Sequence, residues 1–138
     1  MNVVLLDTGP LVALLDGSQE HHSSCVAAFA GFAEPLVTCE SVISEACHLL
    51  RRLKGAARDV VTNLESGMIQ VPYRASDRVS AISRLMGKYS DIHMSFADAC
   101  LVDMAGELGN GRILTLDGDF RVYRWGRNRP FELLLQNV

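Results

Sequence analysis

The stretch that decides the fold is Val3-Val4-Leu5-Leu6-Asp7-Thr8-Gly9-Pro10. Four apolar residues run without alternation into a carboxylate, the pattern of a strand buried on both faces in the middle of a parallel sheet. Thr8, Gly9 and Pro10 then break the strand and open a helix, because proline fits a first helical turn, where its missing N–H costs nothing. Ligands of open parallel sheets bind beyond the carboxyl ends of the strands. Asp7 falls where such a site would be, and the other acids are read by whether they can reach it.

Working outward, Leu11, Val12, Leu14 and Leu15 carry the first helix to Asp16-Gly17-Ser18. Cys25, Val26, Phe29 and Phe32 mark a second helix over about Gln19 to Phe32. Leu36-Val37-Thr38 predicts the second strand. Val42, Ala46, Leu49 and Leu53 predict the inward face of a helix from Glu40 to about Lys54, with Glu45 on that face. Ala56 to Glu65 predicts a helix closed by Ser66-Gly67, and Ile69-Gln70-Val71 a third strand. Ser76 to Lys88 predicts a helix with Val79, Ile82, Leu85 and Met86 inward. Ser90 to His93 reads as a loop. Ser95 to Leu108 predicts a helix whose stripe of Met94, Leu101, Val102 and Ala105 also carries Asp98. Ile113 to Leu116 predicts the fourth strand, which ends in Asp117 as the first ends in Asp7. Phe131 to Gln136 suits an edge strand. Strands alternating with helices predict a three-layer α/β/α sandwich with a mostly parallel sheet of four to five strands, in a single domain over residues 1–138.

The 138 residues suffice for one core, and a hydrophobic fraction of 49% with 21% charged residues is ordinary for a globular domain. No apolar run approaches a membrane span, and the N-terminus lacks the basic leader of a signal peptide, so a cytoplasmic protein away from membranes is expected. Cys25, Cys39, Cys47 and Cys100 form no C-x-x-C pair and lie among Ala, Val or Leu, which suits reduced, buried thiols. A net charge of −3 argues against a general nucleic-acid coat, which would be basic. It does not exclude an enzyme that grips nucleic acid through a local patch.

Four carboxylates stand out by position. Asp7 and Asp117 end apolar strands, and Glu45 and Asp98 interrupt apolar helix stripes. Each has a plain structural reading: Asp7 as a turn former and cap, Glu45 as an early acid favoured by the helix dipole, Asp98 as the fourth residue of a Ser95 capping motif, Asp117-Gly118 as a turn. Asp119 fits a cap, a fifth acid or a solvated side chain. Together they imply more. Two carboxylates about 4 Å apart repel by roughly 4 kcal/mol at an effective dielectric near 20. A pocket collecting all four needs raised pKa values or a divalent cation with oxygen ligands.

Asp7-Thr8-Gly9-Pro10-Leu11 after a hydrophobic strand resembles the opening motif of PIN domains. Ser44-Glu45 resembles their second acid, Ser95-Phe96-Ala97-Asp98-Ala99 their third, and Thr115-Leu116-Asp117-Gly118-Asp119-Phe120 their T-x-D-x-D-F close. The motifs come in the family's order over essentially the whole chain, and the compact size resembles the VapC-like toxins of bacterial and archaeal toxin–antitoxin pairs. The resemblance implies a PIN-like fold and a metal-dependent endoribonuclease, the toxin of a type II pair. It implies Asp7, Glu45, Asp98 and Asp117 as the acidic quartet holding Mg2+, for which Mn2+ can substitute. Asp119 would assist or ligate through water, and Thr8 and Thr115 would orient carboxylates or waters. It also implies an RNA substrate, a small antitoxin protein and a homodimer.

For substrate grip, the residues offer Arg51, Arg52 and Lys54 after the Glu45 helix, and Arg121 and Arg124 after Asp119, to track an RNA backbone. A solvated polar face is the alternative for each cluster. Tyr123 and Trp125 are open to base stacking or to packing. His21, His22, His48 and His93 form no acid–base pair; His93 reads as a loop histidine, with substrate contact as the alternative. Three other functions compete: a stand-alone RNA-processing PIN nuclease, a catalytically silent PIN-like RNA- or protein-binding module, and a phosphatase-like hydrolase using Asp7 as nucleophile. The last lacks a second Asp two residues after Asp7.

Overall fold

The computed structural model of the protein describes residues 2–135. Its elements follow the chain as β1 (Val4–Leu6), α1 (Thr8–Leu15), α2 (His22–Ala30), β2 (Leu36–Val37), α3 (Glu40–Leu49), α4 (Ala56–Glu65), β3 (Ile69–Gln70), α5 (Val79–Lys88), α6 (Phe96–Leu108), β4 (Arg112–Leu114), β5 (Arg124–Trp125), β6 (Arg129–Pro130) and β7 (Glu132–Leu133). Short 3-10 turns lie at Ala75–Asp77, Ser90–Ile92 and Gly118–Arg121.

β1 is the centre of a wholly parallel sheet of order β3-β2-β1-β4-β7. All three β1 residues are 0% exposed, so the unalternating run marks a strand covered on both faces, as expected. The sheet grows from β1 through β2 to β3 and then jumps to β4 on the other side of β1. The switch point therefore lies between β1 and β4, the two strands that lead into Asp7 and Asp117. Polar bonds hold this end together: the Thr38 hydroxyl donates to Leu6 O at 2.6 Å and the Asp7 N–H to Leu114 O at 3.0 Å. At the opposite end, the Asn110 amide donates to Val3 O at 2.9 Å. The thiols are free, with Cys25, Cys39 and Cys100 buried and Cys47 half-buried.

Several boundaries differ from the sequence reading. The helix expected to reach Lys54 ends at Leu49, and Arg51 turns back to donate to His48 O at 2.8 Å. Its core face is Val42, Ala46 and Leu50, while Leu49 and Leu53 are exposed. Glu45 thus lies on a solvent-facing stripe with Leu49, not among core residues. Val79, expected inward, opens α5 and is exposed. The expected edge strand is β7, paired to β4; Gln136, its expected end, lies outside the described residues. The antiparallel β5–β6 pair was not expected.

One polar cluster ties α5 to α6. Arg78 donates to both oxygens of Asp103 at 2.8 and 2.9 Å, and the Tyr73 hydroxyl donates to the same carboxylate at 2.7 Å. Burial alone would raise the Asp103 pKa, but these bonds and the Arg78 charge outweigh it and hold the carboxyl below its ordinary value. A folded-state pKa below the unfolded one adds stability above about pH 4, lost as pH falls further. Asp103→Ala is expected to lower stability near neutrality by about 2 kcal/mol, because the buried Tyr73 hydroxyl loses its acceptor. Urea unfolding at pH 7 and at pH 3.5 checks this, and the difference between variant and wild type should shrink at the lower pH.

Candidate active site

Asp7 leaves β1 in extended geometry and becomes the N-cap of α1. One carboxylate oxygen accepts the Thr8 N–H at 2.8 Å, and the other accepts the Thr115 hydroxyl at 2.7 Å. The Thr115 oxygen in turn accepts the Asp117 N–H at 3.0 Å, and the Asp117 carboxylate accepts the Asp119 N–H at 2.9 Å. One threonine therefore couples the ends of β1 and β4. On α6, the Ser95 side chain caps the helix by accepting the Asp98 N–H at 3.0 Å. The Asp98 carboxylate accepts the Tyr123 hydroxyl at 3.0 Å. The capping roles read from the sequence for Asp7 and Ser95 are real, and they aim the acids.

Asp7, Thr8, Glu45, Asp98, Asp117 and Asp119 all line one open cleft of about 440 Å³. Thr115 reaches it through Asp7. Gly9, Leu49, His93, Ser95 and Leu116 complete the lining. The helical spacing puts Leu49 in the core, whereas it faces the cleft, and the Tyr123 bond to Asp98 spans 25 residues and leaves no local signal in the sequence. His93 has φ 56, left-handed backbone that histidine tolerates better than most side chains. Arg51, Arg52, Lys54, Arg121 and Arg124 are not part of the lining. Arg121 borders a smaller cavity with Thr115, Asp117 and Gly118, and Arg124 lines a separate one. Tyr123 and Trp125 are buried, which removes them from base stacking.

Asp7 is only 8% exposed, and burial pushes its carboxyl from 3.8 up to about 6, with Asp98 and Asp117 adding and the threonine bonds opposing. Burial also raises Asp98, helped by Asp117 and opposed by the Tyr123 hydroxyl and Ser95. Among the described residues no ion pair joins a Lys or Arg to Asp7, Glu45, Asp98, Asp117 or Asp119. The buried Thr8 hydroxyl has no hydrogen-bond partner among the described residues. No three His, Cys, Asp or Glu side chains among the described residues form a group that could hold a metal ion by themselves. The acids ring a cleft; they do not close on one point.

Tyr123 is a positioning residue for Asp98. Tyr123→Phe removes the one phenol that holds this carboxyl down, so the Asp98 pKa is expected to rise further. Carboxyl titration by NMR reads this directly. An unchanged midpoint would remove Tyr123 from the account.

A parallel sheet carrying an acidic cleft across its switch point defines the class: an α/β domain whose cleft lies at the carboxyl ends of its strands, where ligands of such sheets bind. The chain belongs to the PIN domain family, whose model matches residues 4–126. It is 26% identical over 116 residues to Ribonuclease VapC26 of Mycobacterium tuberculosis (strain ATCC 25618 / H37Rv), covering 83% of this chain and 86% of that protein. Its fold superposes on the crystal structure of Mycobacterium tuberculosis VapC20, described as a sarcin–ricin loop cleaving toxin. The TM-score is 0.79 with 21% identity, over 88% of this chain and 94% of that one.

Proposed function

We propose that the protein is an endoribonuclease dependent on Mg2+, with Mn2+ able to substitute, and that it is the toxin of a type II toxin–antitoxin pair. The observation that carries this reading is the cleft itself: five carboxylates line it, the most buried one is held up to about 6, and no cation of the described residues is paired with any of them. The residues fit a hydrated hard cation. The donors are all oxygens, the orphaned Thr8 hydroxyl needs a partner such as a bound water, and Mg2+ takes one or two carboxylates and keeps several waters. A closed cage of three side chains is not required.

Asp7, Asp98 and Asp117 would share the ion, one or two of them directly and the rest through its bound waters, with Glu45 and Asp119 assisting from the same cleft lining. When bound, it supplies a water of lowered pKa and charge to stabilise the attacking and leaving oxygens of a phosphodiester. Thr115 holds Asp7 and the Asp117 backbone in register. Tyr123 and Ser95 fix Asp98. Phe96, half exposed in the first turn of α6, offers a ring face to a base. The ribonuclease and toxin descriptions of VapC26 and VapC20 support RNA as the substrate and a neutralising antitoxin as the partner. The reading includes a cytoplasmic homodimer.

The test is cleavage of total RNA and of purified tRNA by the protein with Mg2+ or Mn2+, against EDTA and against Asp7→Asn. Metal-dependent cleavage lost in both controls supports the reading. Equal cleavage in every lane marks a contaminant. RNA binding without cleavage by the wild type would leave a silent binding module.

A further inference from the structure

We propose a second nucleic-acid contact site, a cationic cavity between α5 and α6 that binds backbone phosphates of single-stranded RNA beside the scissile one. It rests on the endoribonuclease reading above. The cavity holds about 390 Å³ and is lined by four cations, Arg78, Arg84, Lys88 and Arg124, against two acids, Asp103 and Glu107. Both acids are committed to Arg78, at 2.8 Å from Asp103 and 3.4 Å from Glu107. Arg84, Lys88 and Arg124 make no ion pair among the described residues, and only Arg84 is near enough to an acid, Asp103, to help hold its carboxyl down, in a chain whose net charge is −3.

Each of the three is set for an anion. Arg84 and Lys88 stand one turn apart on α5, both exposed. Arg124 is ordered by three carbonyls, those of Arg121, Val122 and Tyr123, which accept from one guanidinium nitrogen. A guanidinium has five N–H donors, so others remain. Two glycines of the lining, Gly106 and Gly126, bring their backbones together, close enough that a Cβ on Gly106 would lie 3.6 Å from Gly126 N.

The cavity is also physically joined to the acid cleft. Lys88 lies over the Tyr89 ring at 5.2 Å, Tyr89 packs edge-on against Tyr123 at 5.0 Å, and the Tyr123 hydroxyl donates to Asp98. The Tyr89 hydroxyl accepts the Arg124 N–H at 2.9 Å. Along α6, Val102 and Gly106 of the cavity lie roughly 6 to 12 Å beyond Asp98 at the helical rise. That span matches a few nucleotides at about 3.4 Å per nucleotide of a stacked strand. An RNA strand lying on the acid cleft would thus place a neighbouring phosphate at the cavity, where fixed positive charge offsets the repulsion of the acids.

The test uses the full chain. Binding of a fluorescent 15-nucleotide single-stranded RNA is followed by anisotropy from low to moderate salt, in the cleavage-deficient Asp7→Asn background. Adding Arg84→Ala and Lys88→Ala should weaken binding about tenfold. It should also reduce the slope of log affinity against log salt by about 1.4, two phosphates at about 0.7 each. Arg84→Lys, which keeps the charge, should restore half or more of the loss, and Arg58→Ala on α4 should change nothing. With Asp7 intact, the double variant should raise KM and spare kcat.

An unchanged slope and KM in the double variant overturn the phosphate site while leaving the nuclease reading intact. No cleavage by the wild type with the slope change present overturns the nuclease reading alone. No RNA binding by any form overturns both. A hexa-glutamate peptide that binds through Arg84 and Lys88 while the RNA slope stays unchanged would assign the cavity to an acidic protein segment and overturn the proposal.

Discussion

Asp7→Asn is expected to abolish RNA cleavage and, in the same protein, to raise the melting temperature. The two effects have one cause. In the folded chain the Asp7 carboxyl is buried and pushed from 3.8 up to about 6, so its ionisation opposes folding at neutral pH. A shift of that size corresponds to about 3 kcal/mol. The asparagine keeps an acceptor for the Thr8 N–H. Its amide NH2 then faces the Thr115 hydroxyl, which donates to this carboxylate in the wild type and would lose that acceptor, and the lost bond offsets part of the gain. A net stabilisation of about 1–2 kcal/mol remains, or about 5 °C in Tm. Cleavage should fall by a factor on the order of 10³ or more, as when a member of a concerted catalytic group is removed.

The sign with pH is fixed. An acid whose folded pKa is raised makes folding more favourable as pH falls from above 6 toward 3.8. Wild-type stability should carry that slope and Asp7→Asn should lose the share due to Asp7, keeping the share of the same sign due to Asp98, while the opposite effect of Asp103 sets in only below about pH 4. Added Mg2+ should stabilise the wild type more than the variant, because the variant has lost one of the carboxylates that would hold it. Scanning calorimetry at pH 5.5 and 7.5, with and without Mg2+, reads all of this. A variant that is both inactive and less stable would make Asp7 a structural cap first.

The acids were legible because each breaks a pattern that hydrophobic burial otherwise enforces. A carboxylate at the end of Val3 to Leu6, or inside the α6 stripe, is costly unless something repays it. The side of α3 that Glu45 occupies was not legible. Leu49, Leu50 and Leu53 are chemically alike, and the choice among them depends on where the helix ends and what packs on it. The β5–β6 pair escaped because Arg124-Trp125 and Arg129-Pro130 show no apolar alternation. Contacts that only the fold brings about hold it: the Trp125 indole donates to Pro130 O at 3.1 Å, and the Arg129 guanidinium lies 5.3 Å from the Trp125 ring centre. Tyr123 escaped for the same reason, since its bond to Asp98 exists only once the segment after β4 folds back over α6.

Gly111→Ala is expected to destabilise the protein by about 3 kcal/mol, or about 10 °C in Tm. Gly111 is buried just before β4, and its carbonyl accepts the Glu132 N–H of β7 at 2.9 Å. A Cβ there would come within 2.6 Å of Trp125 Cε2 and 2.8 Å of Cδ1, and closer still to Nε1. The ring cannot swing away cheaply, because its N–H is bonded to Pro130 O and Arg129 lies over it. Either β4 shifts against β7, or β5 lifts from α6 with Arg124 and Tyr123 close behind it. The second response reaches the site, because Tyr123 holds Asp98. The substitution should therefore weaken RNA cleavage as well as stability, and chemical denaturation with cleavage assays on the folded fraction separates the two. Pairing Gly111→Ala with Trp125→Leu makes a double-mutant cycle. If the clash is the cause, the pair should be more stable than the sum of the single effects, by a coupling of about 1–2 kcal/mol. Strict additivity would place the damage in the backbone of β4 and clear the indole of any part in it.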